Sequence, residues 1–593
     1  MSMSRLLSLV LLATAVRGAV YTDASQLPTT TFDYVVVGAG SAGNVIASRL
    51  SEDPHSSVLV IEAGVTNEGV TTVAAPFLCV KNIPFSAYTW NFTTVPQTSL
   101  EDRALTYARG RILGGSSSLN FMTYTRGSND DYDRWANLTE DDTWSWDNLN
   151  DYYLRSSRLV PAKDQSNVGL VDPAVHGYGP IEVSISDFRT ELDARIVNTS
   201  KTDPEFPFNL DFQSGNSVGV AVAQSTIGNG TRSSSATAYL EPALSRRNLH
   251  VLIENTVTRL MPTGKEHGLP TFKKVEFAPS ADAHRSVVTA NKEVILSAGA
   301  IGSPQILMLS GIGDHDELAA LGIKPQVNLP EVGKHLQDHP IMANYFTVTS
   351  NDTFDDTLRN QTRFNAFLEQ WETSRSGPFA DSVGLAVAYL RLPDNSTIFS
   401  NFTDPAPGTT TPHFEMIWAD GFASNEVAQA PPTGHFMTIN TAIMTPLSLG
   451  NLTLASADPF TFPTINPNFF ESQFDQFIMV EAVKAARRFV QAPAWDDYVV
   501  DRFGLIGSAQ TDADILEAAR KAIVTIWHPS CTARMSPTNA TWGVLDPQLR
   551  VKGTSGLRVV DASSFPVIPA GHPVAFIYVL AERAADLIKA AWK

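Results

Sequence analysis

Three widely separated stretches of this chain repeat one pattern: an unbroken apolar run, a turn of small residues, then apolar positions at helical spacing. The first passes from Asp33-Tyr34-Val35-Val36-Val37 into Gly38-Ala39-Gly40-Ser41-Ala42-Gly43, a helix over 44–50 and a second strand at 58–61 that ends on Glu62. Each glycine has a separate task there. Gly38 permits the tight turn, Gly40 lets backbone approach a pyrophosphate, and Gly43 lets the helix pack closely on the strand. The helix N-terminus then faces phosphate, and Glu62, nineteen residues after Gly43, can accept hydrogen bonds from both adenosine ribose hydroxyls. This register of strand, turn, helix, strand and acid predicts a dinucleotide cofactor.

The second stretch is a strand entering a turn over 292–300 with a helix over 304–310, and the third is a strand and turn over 557–563 with a helix over 575–589. Units this far apart imply one nucleotide-binding domain assembled from residues 30–145, 230–340 and 530–593. Residues 146–229 and 341–529 are then left for a substrate domain. Alternating runs at 436–442 and 452–454 predict an antiparallel sheet in that domain, and a helix over 475–490 is placed to cover it. The expected fold class is α/β, a discontinuous Rossmann-like domain with an inserted α+β domain, and the substrate cavity lies between them.

The 593 residues carry a formal net charge of −18, which repels nucleic acid and anionic membrane surfaces and makes neither an expected partner. Residues 1–18 read as a removable leader. Arg5 gives a positive start, the apolar segment 6–16 is too short to span a bilayer, and Val16-Arg17-Gly18 precedes the cleavage point at Ala19. Ten glycosylation sequons, at Asn91, Asn137, Asn198, Asn229, Asn351, Asn360, Asn395, Asn401, Asn451 and Asn539, fit a secreted, extracellular and monomeric protein. Only Cys79 and Cys531 are present, so one bridge between them is open but a disulfide scaffold is not. No His or Cys spacing points to a metal.

The run Gly110-Arg111-Ile112-Leu113-Gly114-Gly115-Ser116-Ser117-Ser118-Leu119-Asn120 offers many backbone N–H groups to an anion or a flavin ring. From this run the chain resembles the glucose–methanol–choline oxidoreductases. A second matching signature spans 299–313, and the likeness continues through His176-Gly177-Tyr178-Gly179-Pro180, the segment 332–339, Ile465-Asn466-Pro467 and the C-terminal segment 528–589. Within the family, residues 38–44, 109–118 and Trp542-Gly543-Val544 look most like fungal aryl-alcohol oxidases. The resemblance makes the cofactor FAD. It places cofactor contacts at Gly38, Gly40, Ser41, Gly43, Glu62, Arg111, Gly114, Gly115, Ser116, Asn120, Val257, Asp561, Ala562 and Pro573. Asn120 stands where some relatives have a histidine linked to the flavin, so the FAD is expected to be bound non-covalently.

By composition alone His528 and His572 are each a histidine beside a proline, forty-four residues apart. The resemblance makes them the catalytic pair. His528, near its ordinary pKa of about 6.5, would take the proton of a primary alcohol while a hydride leaves the carbinol carbon for flavin N5. His572 would hold the same oxygen. Protonated His528 would then favour electron passage to dioxygen, so the products are an aldehyde and hydrogen peroxide. Phe121, Trp527 and Phe422 match or adjoin aromatic channel positions and favour planar benzyl-type or conjugated alcohols, and Glu415 is placed to reach the histidines. Cys531 replaces a glycine usual in relatives and is expected to push the loop or narrow access. Two other readings stay open: a quinone-reducing dehydrogenase of aromatic secondary metabolism, and a hydroxynitrile lyase on the same fold. A secreted carrier without activity is the bland third.

Overall fold

Parallel register brings four strand ends to one edge of the larger sheet. Thr31–Val37 lies between Val58–Ile61 and Ser286–Leu296, and Leu557–Val559 joins the far side of Ser286–Leu296. Val37 pairs with Ile61 and with Leu296, and Leu296 pairs with Val559. Gly38, Glu62, Ser297 and Asp561 therefore emerge together, where open α/β sheets bind ligands. Val35, Val36, Val58, Leu59 and Val60 are fully buried, each contributing about 1.5–3 kcal/mol. This is why the segments read as continuous apolar runs. The sheet is extended by Leu249–Leu252 and Ala19–Tyr21 on one side and by the antiparallel pair Thr256–Glu266 and Leu269–Ala278 on the other. The structure, a computed structural model, describes residues 19–160 and 169–593, so the leader expected over 1–18 lies outside the described residues.

Two helices begin earlier than their glycine and proline content predicts. Ser41–Leu50 starts inside the glycine turn, with Gly40 as its N-cap, because Gly43 must sit on the Gly38 carbonyl. Gly299–Leu309 starts five residues before Pro304. Proline cannot donate to the Ala300 carbonyl four residues back. The hydroxyl of Thr532 supplies that bond at 2.6 Å, which preserves the helix and ties it to the loop after His528.

A second, wholly antiparallel sheet runs in the order Val499–Phe503, Pro340–Val348, Phe436–Ile443, Phe414–Ala419, Gly384–Leu390 and Gly219–Val222, with Val524–Thr525 also on Pro340–Val348. Helix Gln473–Phe489 covers one face, and the Trp418 and Phe489 rings meet at 4.7 Å. Alternation then sends Glu415, Ile417 and Ala419 to the opposite face, toward the first sheet. The run expected at 452–454 forms Gly450–Thr453, but in a separate three-stranded sheet with Lys334–Leu336 and Thr464–Asn466. Gly450 lets the neighbouring strand come close, since a Cβ would lie 2.1 Å from the Asn466 carbonyl oxygen. No helix of the described residues is long and apolar enough to cross a membrane.

Candidate active site

The edge of the parallel sheet opens a cavity of about 180 Å³ lined by Gly38, Gly40, Ser41, Glu62, Gly115, Ser116, Val257, Asp561 and Ala562. Its two glycine loops are interlocked. Gly114 N–H donates to the Ala39 carbonyl at 2.8 Å, and a Cβ on Gly115 would come within 2.8 Å of the Gly40 Cα. Gly43 and Gly114 do not line the cavity; they provide this close packing. Gly40 is different, because a Cβ there would have only the Ser297 carbonyl oxygen within 4 Å, at 4.0 Å. Protein sterics do not demand a glycine at 40; a ligand passing over the turn does. The buried Glu62 carboxylate accepts from Ala39 N–H at 2.8 Å and Gly64 N–H at 2.7 Å, which fixes its place at the cavity wall. Burial raises its pKa, with these donors opposing the shift. A nucleotide with a free ribose fits this donor set.

Two expected cofactor contacts are otherwise engaged. Arg111 lines neither cavity: its guanidinium stacks 4.8 Å from the Trp90 ring and donates to the Ala63 carbonyl at 3.2 Å. Asp561 lines the cavity, but its carboxylate accepts from Gly299 N–H at 2.9 Å and the Ser303 hydroxyl at 2.6 Å, tying down the start of helix Gly299–Leu309.

A cavity of about 640 Å³ continues from the first, sharing Ser41, Arg109, Gly110, Ser116 and Ile577 with it. His528, His572, Phe121, Trp527, Phe422, Asn120 and Pro573 line it. Two loops remote in sequence present the histidines. Gln337 and Ser530 pair backbone to backbone, and the buried Asp338 carboxylate accepts from His528 N–H and His339 N–H, each at 2.8 Å. Its second oxygen accepts from the Thr525 hydroxyl at 2.6 Å. Burial pushes Asp338 up to about 6.

The His528 and His572 rings lie 4.8 Å apart at 73°. Glu415, itself off the cavity surface and fully buried, binds His572 Nε2 at 2.8 Å and leaves Nδ1 for the cavity. His528 Nδ1 meets His339 Nδ1 at 3.0 Å, so one ring donates and the other accepts, and His528 Nε2 remains for the cavity. In the tautomer in which His528 donates from Nδ1, its Nε2 lone pair is free to take a proton. Burial, with His572, His339 and Arg109 nearby, holds the His528 pKa well below its usual value, and burial with His572 pushes His339 down to about 3.

Backbone strain flanks this histidine. Trp527 has φ +61° and Cys531 φ +73°, a region that costs an L-residue about 1–2 kcal/mol. A glycine suits position 531 for that reason. The expected narrowing of access by Cys531 does not occur: its side chain lies buried in the core, 3.6 Å from Gln337 Oε1, and lines neither cavity. Cys79 and Cys531 are both free and sit in separate apolar clusters. Asn120 accepts through Oδ1 from Arg232 at 2.7 Å. Phe422 stacks on Tyr345 at 3.8 Å, and the Phe121 and Trp527 rings run parallel within 8°, centroids 6.5 Å apart. Sequence reasoning left Arg109, Asp338 and His339 without roles. The dense polar run Gln337-Asp338-His339 was the available signal, while Arg109, which donates to the Trp527 carbonyl at 2.5 Å, carried none.

A glycine-cradled nucleotide cavity opening onto a histidine-lined cavity defines a flavin-dependent oxidoreductase. The chain belongs to the GMC oxidoreductase family, matching its N-terminal part over residues 32–341 and its C-terminal part over 446–581. It is 38% identical to Dehydrogenase eriK of Hericium erinaceus over 99% of both chains. It is 40% identical to Pyranose dehydrogenase 3 of Leucoagaricus meleagris over 99% of this chain and 98% of that one. Among solved structures, the formate oxidase of Aspergillus oryzae superposes with a TM-score of 0.86 at 30% identity over 95% and 99% of the two chains. A fungal aryl-alcohol oxidase does so with 0.83 at 26% identity over 95% and 100%. The cofactor of this family and of the formate oxidase is FAD, and the Gly38–Glu62 edge fits its nucleotide end.

Proposed function

We propose that this enzyme oxidises primary alcohols on planar, mainly aromatic frameworks to aldehydes, with dioxygen reduced to hydrogen peroxide. The observation that carries the reading is the parallel Phe121 and Trp527 pair on the wall of the cavity that holds His528 and His572. An apolar wall of this kind favours a flat substrate over a fully hydrated one.

Bound FAD supplies the acceptor for the hydride that leaves the carbinol carbon. The chain's own residues do the rest. His528 Nε2 accepts the hydroxyl proton, because its Nδ1 is occupied by His339 and burial keeps the ring neutral. His572 holds the substrate oxygen from the adjacent ring, with Glu415 fixing its orientation. Asp338 sets the backbone of both His528 and His339, so the base cannot swing out of line.

The FAD is held without a covalent bond. Asn120 has no nucleophilic ring nitrogen and is committed to Arg232. Acid precipitation is expected to release all of the flavin into the supernatant; colour retained in the pellet would show a link. The protein is read as secreted and monomeric, with all the sequon asparagines exposed except the half-buried Asn451.

The test is stoichiometry in air. Benzyl-type alcohols should yield one peroxide per aldehyde. A second reading, electron transfer to a quinone, is favoured by the dehydrogenase names of the relatives at 38% and 40% identity. It predicts turnover that requires added quinone and produces little peroxide.

A further inference from the structure

One polar side chain on the cavity floor has no partner. Strand Phe436–Ile443 sends Ile439 and Thr441 toward helix Gln473–Phe489, and Asn440 to the opposite face, where it lines the larger cavity. It stands in register between Ala343 and Ile417, small and apolar neighbours that offer it no hydrogen bond. The polar side chain next to it on the same strand face is committed. Thr438, on the same face, donates to the Gly421 carbonyl at 2.7 Å and accepts from Ala423 N–H at 3.0 Å. Asn344, on the far face, donates to the Ile439 carbonyl at 2.9 Å. Among the described residues Asn440 alone of these leaves both its donor and its acceptor to the cavity.

Position gives this amide a purpose. Glu415, which holds His572, lies on the neighbouring strand two residues from Ile417, the cross-strand partner of Asn440. Strand spacing therefore sets the two Cα atoms about 8 Å apart on one face. The amide therefore faces the same cavity as the His572 ring that Glu415 holds, displaced from it along the sheet. A carboxamide both donates and accepts, so it suits a hydroxyl better than a charged group.

We propose that Asn440 is a specificity-determining residue, a recognition point for a second hydroxyl carried across the ring from the carbinol that His528 deprotonates. This rests on the alcohol-oxidising reading above. The hydroxyl can belong to a phenol or to a sugar ring, and the experiment separates them.

The FAD-loaded wild type, N440L and N440D are assayed with 4-hydroxybenzyl alcohol, its isostere 4-methylbenzyl alcohol and free pyranoses, with flavin content and Tm recorded for each variant. The wild type should prefer the hydroxyl over the methyl isostere by roughly tenfold in kcat/KM. N440L should erase that preference by raising KM for the hydroxyl compound far more than for the methyl compound, and N440D, which retains an acceptor, should keep most of it. If only pyranoses are oxidised and N440L raises their KM, the aromatic reading fails and Asn440 stands with the sugar as source. Equal loss on both benzyl alcohols in N440L, or a wild type indifferent to the hydroxyl, overturns the role of Asn440 while the alcohol-oxidising reading survives. A flavin that no alcohol reduces overturns both.

Discussion

Replacing His528 by alanine is expected to lower kcat by about two to four orders of magnitude while FAD remains bound at the wild-type level. The size follows from the single lone pair involved. His528 Nδ1 is taken by His339, so the proton is accepted at Nε2 alone, and His572, oriented by Glu415, is committed to holding the substrate oxygen. The flavin should stay because the nucleotide cradle at Gly38, Gly40 and Glu62 does not include His528. The pH profile carries the same argument. A buried histidine whose pKa is lowered well below about 6.5 is already the neutral base at pH 6.5, so kcat should stay level from pH 8 down past that value. A profile falling at 6.5 would mean that an exposed imidazole does the work. Near-normal turnover by His528→Ala would refute the assignment outright.

Gly40→Ala and Gly43→Ala should fail in different ways, and the difference separates protein packing from cofactor binding. At Gly43 a new Cβ would lie 1.9 Å from the Gly38 carbonyl oxygen and 3.3 Å from the Ser297 Cβ, so the helix must move off the strand. Overpacking of this kind costs about 1–3 kcal/mol, and more where the obstacle is backbone. Gly43→Ala should therefore be purified with a lowered Tm and little flavin. At Gly40 the same atom meets nothing nearer than 4.0 Å, and the backbone there is extended and open to alanine. Gly40→Ala should keep the wild-type apo Tm and lose only FAD affinity, read by flavin titration. Equal Tm losses in both variants would remove the argument that a ligand explains Gly40.

The nucleotide edge was legible because its signals are local. Val58–Ile61 has the bounds its apolar run predicts, and Glu62 falls where the turn spacing places it. The catalytic histidines were legible only through their place in a family motif, since each is chemically a histidine before a proline. What could not be read is what the tertiary fold assembles. His339 meets His528 across 189 residues, and although the polar run at 337–339 marks its own segment, nothing in it names His528 as the partner. Thr532 completes a helix broken by Pro304, 228 residues earlier, which is why that helix was expected to start late. Cys531 was read as an obstruction because a side chain replaces hydrogen; the positive φ shows that the usual glycine serves the backbone instead. Asn440 lies in an alternating strand whose inward face cannot be known until the second sheet is placed against the first.

The reading of these cavities as one alcohol-oxidising site is tested most directly by anaerobic mixing of the FAD-loaded protein with a benzyl-type alcohol. The oxidised flavin absorbance should bleach in the wild type, persist in His528→Ala, and return on admission of air with one peroxide formed per flavin. A flavin that stays oxidised in the wild type with every alcohol tried would contradict the account and favour a redox-silent cofactor, as in a lyase.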